Sequence, residues 1–330
     1  YYEDTDLDFR VREAGFKVYY QPKAVVVHHE GRSNGTDEAS GIKRYQARNR
    51  GLFLDRWQTT LAAHRPNGSD VFKARERSLT RKVVLVIDHY VPQADKDAGS
   101  RNIMTYLRFL VRQGFSVKFL GDNFARQQPY TDQLEQMGIE VIAGDHYVQA
   151  WPAWLAGNGP HLDYVLLSRA HTSLHWLDPV RRHTRARILF YGHDLLSETH
   201  RKAYERLGDP AHRETSRNYA QWESEVFSKA DWIFYPSHLE VEHLRSKFPH
   251  YKIGRLPLLV FEEPERNLPG FNERSGLLFV GGFGHPPNLD AINWFVREVW
   301  PALKQADPTM HLTIVGSNPP DEIRALQGGS

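Results

Sequence analysis

Carboxylates, imidazoles and small residues gather at a few places in this sequence, most of them where an apolar run ends. Glu3-Asp4-Thr5-Asp6 places three carboxylates at a helix start, where acids cap the helix and complement its macrodipole. His28-His29 follows a short apolar run and reads by itself as an ordinary polar pair. Farther on, Asp88-His89-Tyr90-Val91-Pro92 leads into Asp95-Lys96-Asp97-Ala98-Gly99-Ser100-Arg101. A small-residue loop running from a parallel strand into a helix presents backbone N–H groups to anions. It is neither a G-x-G-x-x-G fingerprint nor a Walker A loop, so dinucleotide or ATP binding has no support. Two further apolar runs end in Ser168-Arg169-Ala170-His171 and in Tyr191-Gly192-His193-Asp194. Loops at one edge of one sheet converge, so these clusters are expected to share a site. Trp222-Glu223, Trp232 and Tyr235 read as core or interface residues with no ligand assigned.

The elements that position these groups fall into three stretches. In the first, a short helix carries Leu7, Val11 and Ala14 on one face and stops at Gly15. Strands are predicted at Phe16–Tyr20 and, buried, at Ala24–Val27. A helix follows over about 42–57, with Tyr45, Leu52 and Phe53 as candidate core positions. Residues 59–81 read as a linker, and Lys73–Lys82 holds five basic residues and one acid. A solvated linker is the plain reading of that run, and a phosphate-touching or membrane-facing patch the sharper one.

Val83–Ile87 opens the second stretch as a continuous β-branched run, the pattern of a strand covered on both faces. A helix with Ile103, Tyr106, Leu107 and Leu110 follows and stops at Gly114. Strands are predicted at Val117–Leu120, Val141–Ala143, Tyr164–Leu167, Ile188–Tyr191 and Trp232–Tyr235. This strand–helix alternation predicts an α/β fold, a Rossmann-like doubly wound parallel sheet, over about 82–260. The prolines of 257–276 mark a connection. A single βαβ unit then occupies about 275–330: strand Leu277–Val280, a helix through Ile292, Phe295, Val296, Val299 and Leu303, and strand His311–Val315.

Composition narrows the function classes. The chain has 330 residues, 40% hydrophobic, with a formal net charge of +2. Polyanion binding by sheer positive charge is thereby excluded, and no nucleic-acid partner is expected. There is no cysteine, so disulfides, thiolate metal sites and thiol nucleophiles are ruled out, and a reducing, cytoplasmic compartment fits. No window approaches the ~18 apolar residues of a membrane span. Tyr1-Tyr2-Glu3-Asp4 does not resemble a signal peptide. Both ends read as cut from a longer chain.

Tyr2-Glu3-Asp4-Thr5-Asp6-Leu7, then Arg10, Gly15, Pro22 and His28, with Gly31 and Ser33 after it, resembles the end of the catalytic domain of family-two GT-A glycosyltransferases. The likeness covers roughly residues 1–57. It implies that Asp4 is the general base of an inverting transfer, that Glu3 and Asp6 lie at the acceptor or donor, and that His28 ligates a divalent cation, manganese or magnesium. A carboxylate in hydrogen-bond reach of an acceptor hydroxyl can take its proton, and a cation absorbs charge on a departing nucleoside diphosphate. The family's nucleotide-binding strands and Asp-x-Asp motif would precede Tyr1.

Arg81 to Gln327 is similar to family-four GT-B glycosyltransferases. The likeness is carried by the opening strand, Asp97-Ala98-Gly99-Ser100-Arg101, Gly192-His193-Asp194, Pro236-Ser237 with Glu240, and Phe279-Val280-Gly281-Gly282-Phe283 through Pro287-Asn288 to Ile314-Val315-Gly316. It implies two Rossmann-like domains, with the acceptor mainly on the first and the sugar nucleotide on the second, and metal-free transfer. By position, Gly99, Ser100, Arg101 and Asp194 line the site and His193 lies near the reacting centre. Gly281, Gly282 and Asn288 approach the donor phosphates. His285-Pro286-Pro287-Asn288 stands where the family carries an Arg/Lys pair, and the family's later donor glutamate would follow Ser330.

The two likenesses together imply a piece of a bifunctional glycosyltransferase that moves sugars from nucleotide-sugar donors to a growing glycan in polysaccharide assembly, cytoplasmic and with peripheral membrane contact an open expectation. The rival is a non-catalytic glycan- or nucleotide-binding scaffold.

Overall fold

In the computed structural model, the structure describes residues 2–20, 24–27, 44–66, 68–69, 71–74, 78–258 and 267–328. The chain divides into two compact units, Tyr1–Glu262 and Glu263–Ser330.

The first unit opens with helix α1 (Glu3–Glu13), α2 (Arg44–Ala62) and the single turn α3 (Val71–Ala74). Gly15 stops α1 as expected. At φ +84 it lets Phe16 N donate to Val11 O and Gly15 N to Arg12 O, the paired bonds of a Schellman end. Phe9 meets Phe53 and Trp57 at ring-centroid distances of 5.1 and 5.2 Å, which joins α1 to α2. Three expectations are corrected here. Residues 16–20 and 24–27 are not strands, and Val25, Val26 and Val27 are exposed rather than buried. Among the described residues no neighbouring strand lies alongside them, so their backbone has no ladder to join. Of the three candidate core positions on α2, Phe53 is buried with Trp57, whereas Tyr45 and Leu52 are exposed. The 59–81 segment is more than a linker, since α2 runs on to Ala62 and Phe72 is buried in the main core. Phe72 there covers the buried Lys118, whose ammonium lies 5.2 Å from the ring centroid and 2.8 Å from Glu140 Oε2.

The rest of the unit alternates: β1 (Val83–Asp88), α4 (Ala98–Arg112), β2 (Ser116–Gly121), α5 (Tyr130–Gln136), β3 (Glu140–Ile142), α6 (Asp145–Asn158), β4 (Tyr164–Ser168), α7 (Ala170–His183), β5 (Arg187–Tyr191), α8 (Leu196–Leu207), α9 (Pro210–Lys229), β6 (Trp232–Tyr235), α10 (His238–Lys247) and β7 (Ile253–Arg255). All seven strands are parallel, in the order β3-β2-β1-β4-β5-β6-β7. This is the expected Rossmann-like doubly wound sheet. Strand periodicity builds its two cores. Val83, Leu85 and Ile87 of β1 face a layer with Trp176 and Leu177 of α7 and Val226 and Phe227 of α9, while Val84 and Val86 face Ile103 and Leu107 of α4. β1 and β4 lie side by side, and there the strand order reverses direction, which leaves a crevice beyond their carboxyl ends.

The second unit has a parallel pair, β8 (Leu277–Val280) and β9 (Leu312–Val315), with α11 (Pro286–Trp294), a π-turn over Phe295–Val299, α12 (Trp300–Ala306) and α13 (Asp321–Arg324). The single helix predicted between the strands therefore forms, running through 286–306 with a π-helical segment inside it. Phe283, Ile292 and Ile323 form its small core. Among the described residues no helix is long and apolar enough to cross a membrane.

Candidate functional site

The carboxyl ends of β1, β4 and β5 bring three side-chain groups together. β1 ends in Asp88, a buried carboxylate whose Oδ1 accepts from His89 N at 2.8 Å, His89 Nδ1 at 2.8 Å and Arg169 Nε at 3.0 Å. Burial alone would raise its pKa; the His89 hydrogen bond and the Arg169 charge outweigh it and hold the carboxyl below the usual aspartate range.

β4 ends in Ser168 and Arg169, and β5 leads to Gly192 and His193. Neither Arg169 (φ 66) nor His193 (φ 55) is a glycine, yet both lie in the left-handed region. Each such residue costs roughly 1–3 kcal/mol and persists where its surroundings over-determine it. At His193 the cause is a three-residue turn in which Asp194 N donates to Gly192 O at 2.6 Å. The turn points the imidazole back over the sheet, where His193 Nε2 shares a buried 2.6 Å hydrogen bond with Ser168 Oγ. Burial first, and the Arg169 charge second, lower its pKa from 6.5 to about 4. The ring is therefore neutral at physiological pH, one nitrogen a donor and the other an acceptor.

The loop before α4 meets this pair through its glycine. A Cβ on Gly99 would lie 2.9 Å from Arg169 Nη2 and 3.7 Å from His193 Nδ1. Gly99 thus allows the backbone to approach both side chains, and the clusters at residues 97–101, 168–171 and 192–194 converge as the sequence predicted. The other loop residues are already engaged. Asp97 caps α4, accepting from Ser100 N and Ser100 Oγ, each at 2.7 Å, and from Tyr90 Oη at 2.9 Å. Ser100 is buried in that cap. Arg101 is exposed, with Nε on Ala94 O at 3.1 Å. Asp194 is exposed beside His193.

Beneath His193 a small cavity is walled by Arg169, Gly192, Asp194, Tyr219, Glu223 and Tyr235, among others. Glu223 is buried and accepts from Ser197 N at 3.3 Å and from Ser197 Oγ. Burial raises its pKa from 4.5 to about 7, against the opposing pull of those hydrogen bonds. Sequence reasoning set Glu223 and Tyr235 aside. Both are buried, in keeping with the core-or-interface reading; their place at this cavity comes from the fold, which brings Glu223 to Ser197, 26 positions away. Asp88 was legible as an acid ending an apolar strand, and Arg169 as the next such cluster; neither was singled out.

No family model matches the chain. No curated protein matches it. Among solved structures, one described as "Structural and functional study of chuY from E. coli CFT073 strain" is 17% identical, over 47% of this chain and 71% of that one, with a TM-score of 0.28. A likeness that slight transfers nothing to this chain.

The other predicted site residues lie elsewhere. Asp4 is exposed, and its Oδ1 accepts from Thr5 N at 2.7 Å. Asp6 accepts from Trp57 Nε1 at 2.8 Å and Arg56 Nη1 at 3.4 Å, which pins α1 to α2. Glu3 and Asp6 border an open groove with Asn49, Phe53 and Arg56, and Asp4 is not among its walls. His28 lies outside the described residues, among which no group of three or more His, Asp or Glu side chains forms a cation site. In the second unit, Gly281 and Gly282 lead from β8 into a turn over 282–285 that is held from within, His285 N donating to Gly282 O at 3.3 Å. Asn288 Nδ2 donates to Gly282 O at 2.8 Å and would lie 2.8 Å from a Cβ on Gly281.

Proposed function

We propose that this chain is part of a nucleotide-sugar-dependent glycosyltransferase, with the Gly99–Arg169–His193 cluster of the first unit at a reacting centre. One observation carries the reading: a guanidinium, a neutral imidazole and a tight glycine meet where the parallel sheet reverses its strand order. α7 begins at that point with no side-chain cap among the described residues, so its first N–H groups and the Arg169 charge together favour a phosphate oxygen. A neutral His193 beside them suits hydrogen bonding to a sugar hydroxyl, since it adds no charge and, with Nε2 held by Ser168 Oγ, keeps Nδ1 for a ligand. Asp88 holds Arg169 in place and balances its charge before a ligand arrives.

The likeness of residues 1–57 to a GT-A tail extends the proposal to a second, inverting centre using Asp4 as base and His28 with manganese or magnesium, and so to successive additions in polysaccharide assembly. A non-catalytic scaffold is the second reading, favoured by the engagement of the Gly281–Gly282 loop from within by Asn288. The deciding experiment screens the intact protein for hydrolysis of UDP-, GDP- and dTDP-sugars, with and without manganese. Turnover of at least one donor supports the enzyme, and binding without turnover supports the scaffold. D4N should abolish only the manganese-dependent part.

A further inference from the structure

Tyr235 is fully buried, yet among the described residues its hydroxyl has no hydrogen-bond partner. Buried hydroxyls seldom go unpaired, because the lost hydrogen bond to water is not replaced. Tyr235 forms part of the wall of the cavity beneath His193, and its ring is fixed there: a Cβ on Gly192 would fall within 2.2 Å of it. The space is about 30 Å³, by the measure in which one water needs about 10–15 Å³. It admits one small polar group and not a whole sugar ring. The walls also restrict charge. The Asp194 carboxylate disfavours an anion, and the Arg169 guanidinium disfavours a cation. Each Glu223 oxygen already accepts one hydrogen bond from Ser197 and keeps a lone pair for another.

We infer that this cavity is a hydroxyl subsite: it takes one neutral hydroxyl arm of a sugar or polyol, with Tyr235 Oη donating to it and Glu223 accepting from it. The rest of the ligand lies outside, over the exposed Asp194 and His171. The inference rests on the sugar-handling reading above, but the two fail separately, because donor hydrolysis tests that reading and direct binding tests this one.

The experiment is saturation-transfer NMR and calorimetry of the full chain with methyl glucoside, galactoside and mannoside, and with inorganic phosphate, for wild type, Y235F and E223Q. At least one glycoside should bind wild type. Y235F should weaken it about 3–10-fold, the worth of one hydrogen bond, leave phosphate unaffected, and keep or raise Tm because an unpaired hydroxyl is removed. E223Q should weaken the same glycoside. Failure of every glycoside to bind wild type would overturn the inference. Equal binding by Y235F would do so too, since the hydroxyl would then meet only trapped water.

Discussion

Arg169 donates from Nε to Asp88 Oδ1 at 3.0 Å, joining the ends of β1 and β4 across the crevice where the sheet order reverses. Both the local fold and the proposed chemistry depend on this pair. Asp88 is nearly inaccessible, whereas the Arg169 side chain keeps about a quarter of its exposure. The carboxylate is therefore the dependent partner, and the guanidinium can still reach a ligand.

D88N keeps the shape and removes the charge. Unfolding in urea should show a loss of about 1–3 kcal/mol, as for a buried hydrogen-bonded charge left without its partner. Asp88 also supports the protonated form of His193, so NMR titration should place the His193 pKa lower in D88N than in wild type. An unchanged His193 titration would mean that the two groups are not electrostatically linked.

Gly192 has space for no side chain, because Tyr235 packs against its Cα. G192A should lower Tm sharply, by an overpacking cost of about 1–3 kcal/mol or more. Gly157, inside α6 with open space around it, is the control. G157A should be neutral or stabilising by up to about 1 kcal/mol. Comparable melts for the two variants would contradict the close approach.

Two buried groups give opposite pH dependences. Glu223 keeps its proton in the folded chain up to about pH 7 and releases it near 4.5 when unfolded. Its contribution favours folding at low pH and is lost as pH rises from 4.5 to about 7. His193 stays neutral in the folded chain down to about pH 4 but protonates near 6.5 when unfolded. Its contribution is present above 6.5 and lost as pH falls toward 4. Relative to E223Q, wild type should lose stability across pH 4.5–7; relative to H193Q, it should gain stability across pH 4–6.5. Each difference is on the order of a few kcal/mol. Denaturant midpoints measured across that range check both signs.

Asp6 pins α1 to α2 through Trp57 Nε1. D6A should cost about 1 kcal/mol and speed amide exchange in α1, with any donor hydrolysis unchanged. A change in hydrolysis without faster exchange would assign Asp6 the ligand-binding role that the sequence resemblance implies.

The sheet was legible because its strands are apolar runs covered on both faces. All six strands predicted from Val83 to Tyr235 form, within a residue or two. β7 was missed, since Ile253-Gly254-Arg255 offers one buried apolar residue and takes its strand form from pairing with β6. Phe16–Tyr20 and Ala24–Val27 failed for the converse reason, strand-like residues with no partner strand among those described. At the site, Gly99, Arg169 and His193 were legible because each follows a strand, and strand ends share one edge. Glu223 and Tyr235 read as core or interface residues and are buried. Their place in the wall of a cavity beside His193 was not legible, because it arises where α9, β6 and the turn after β5 meet, which no local spacing records.

The central claim is that the β1–β4–β5 edge handles a nucleotide sugar. Its most direct test is the manganese-independent hydrolysis rate of the best donor by intact wild type, H193A and R169M. The account expects H193A and R169M to lose at least tenfold each, with their far-ultraviolet spectra unchanged. Wild-type rates in both folded variants would contradict it.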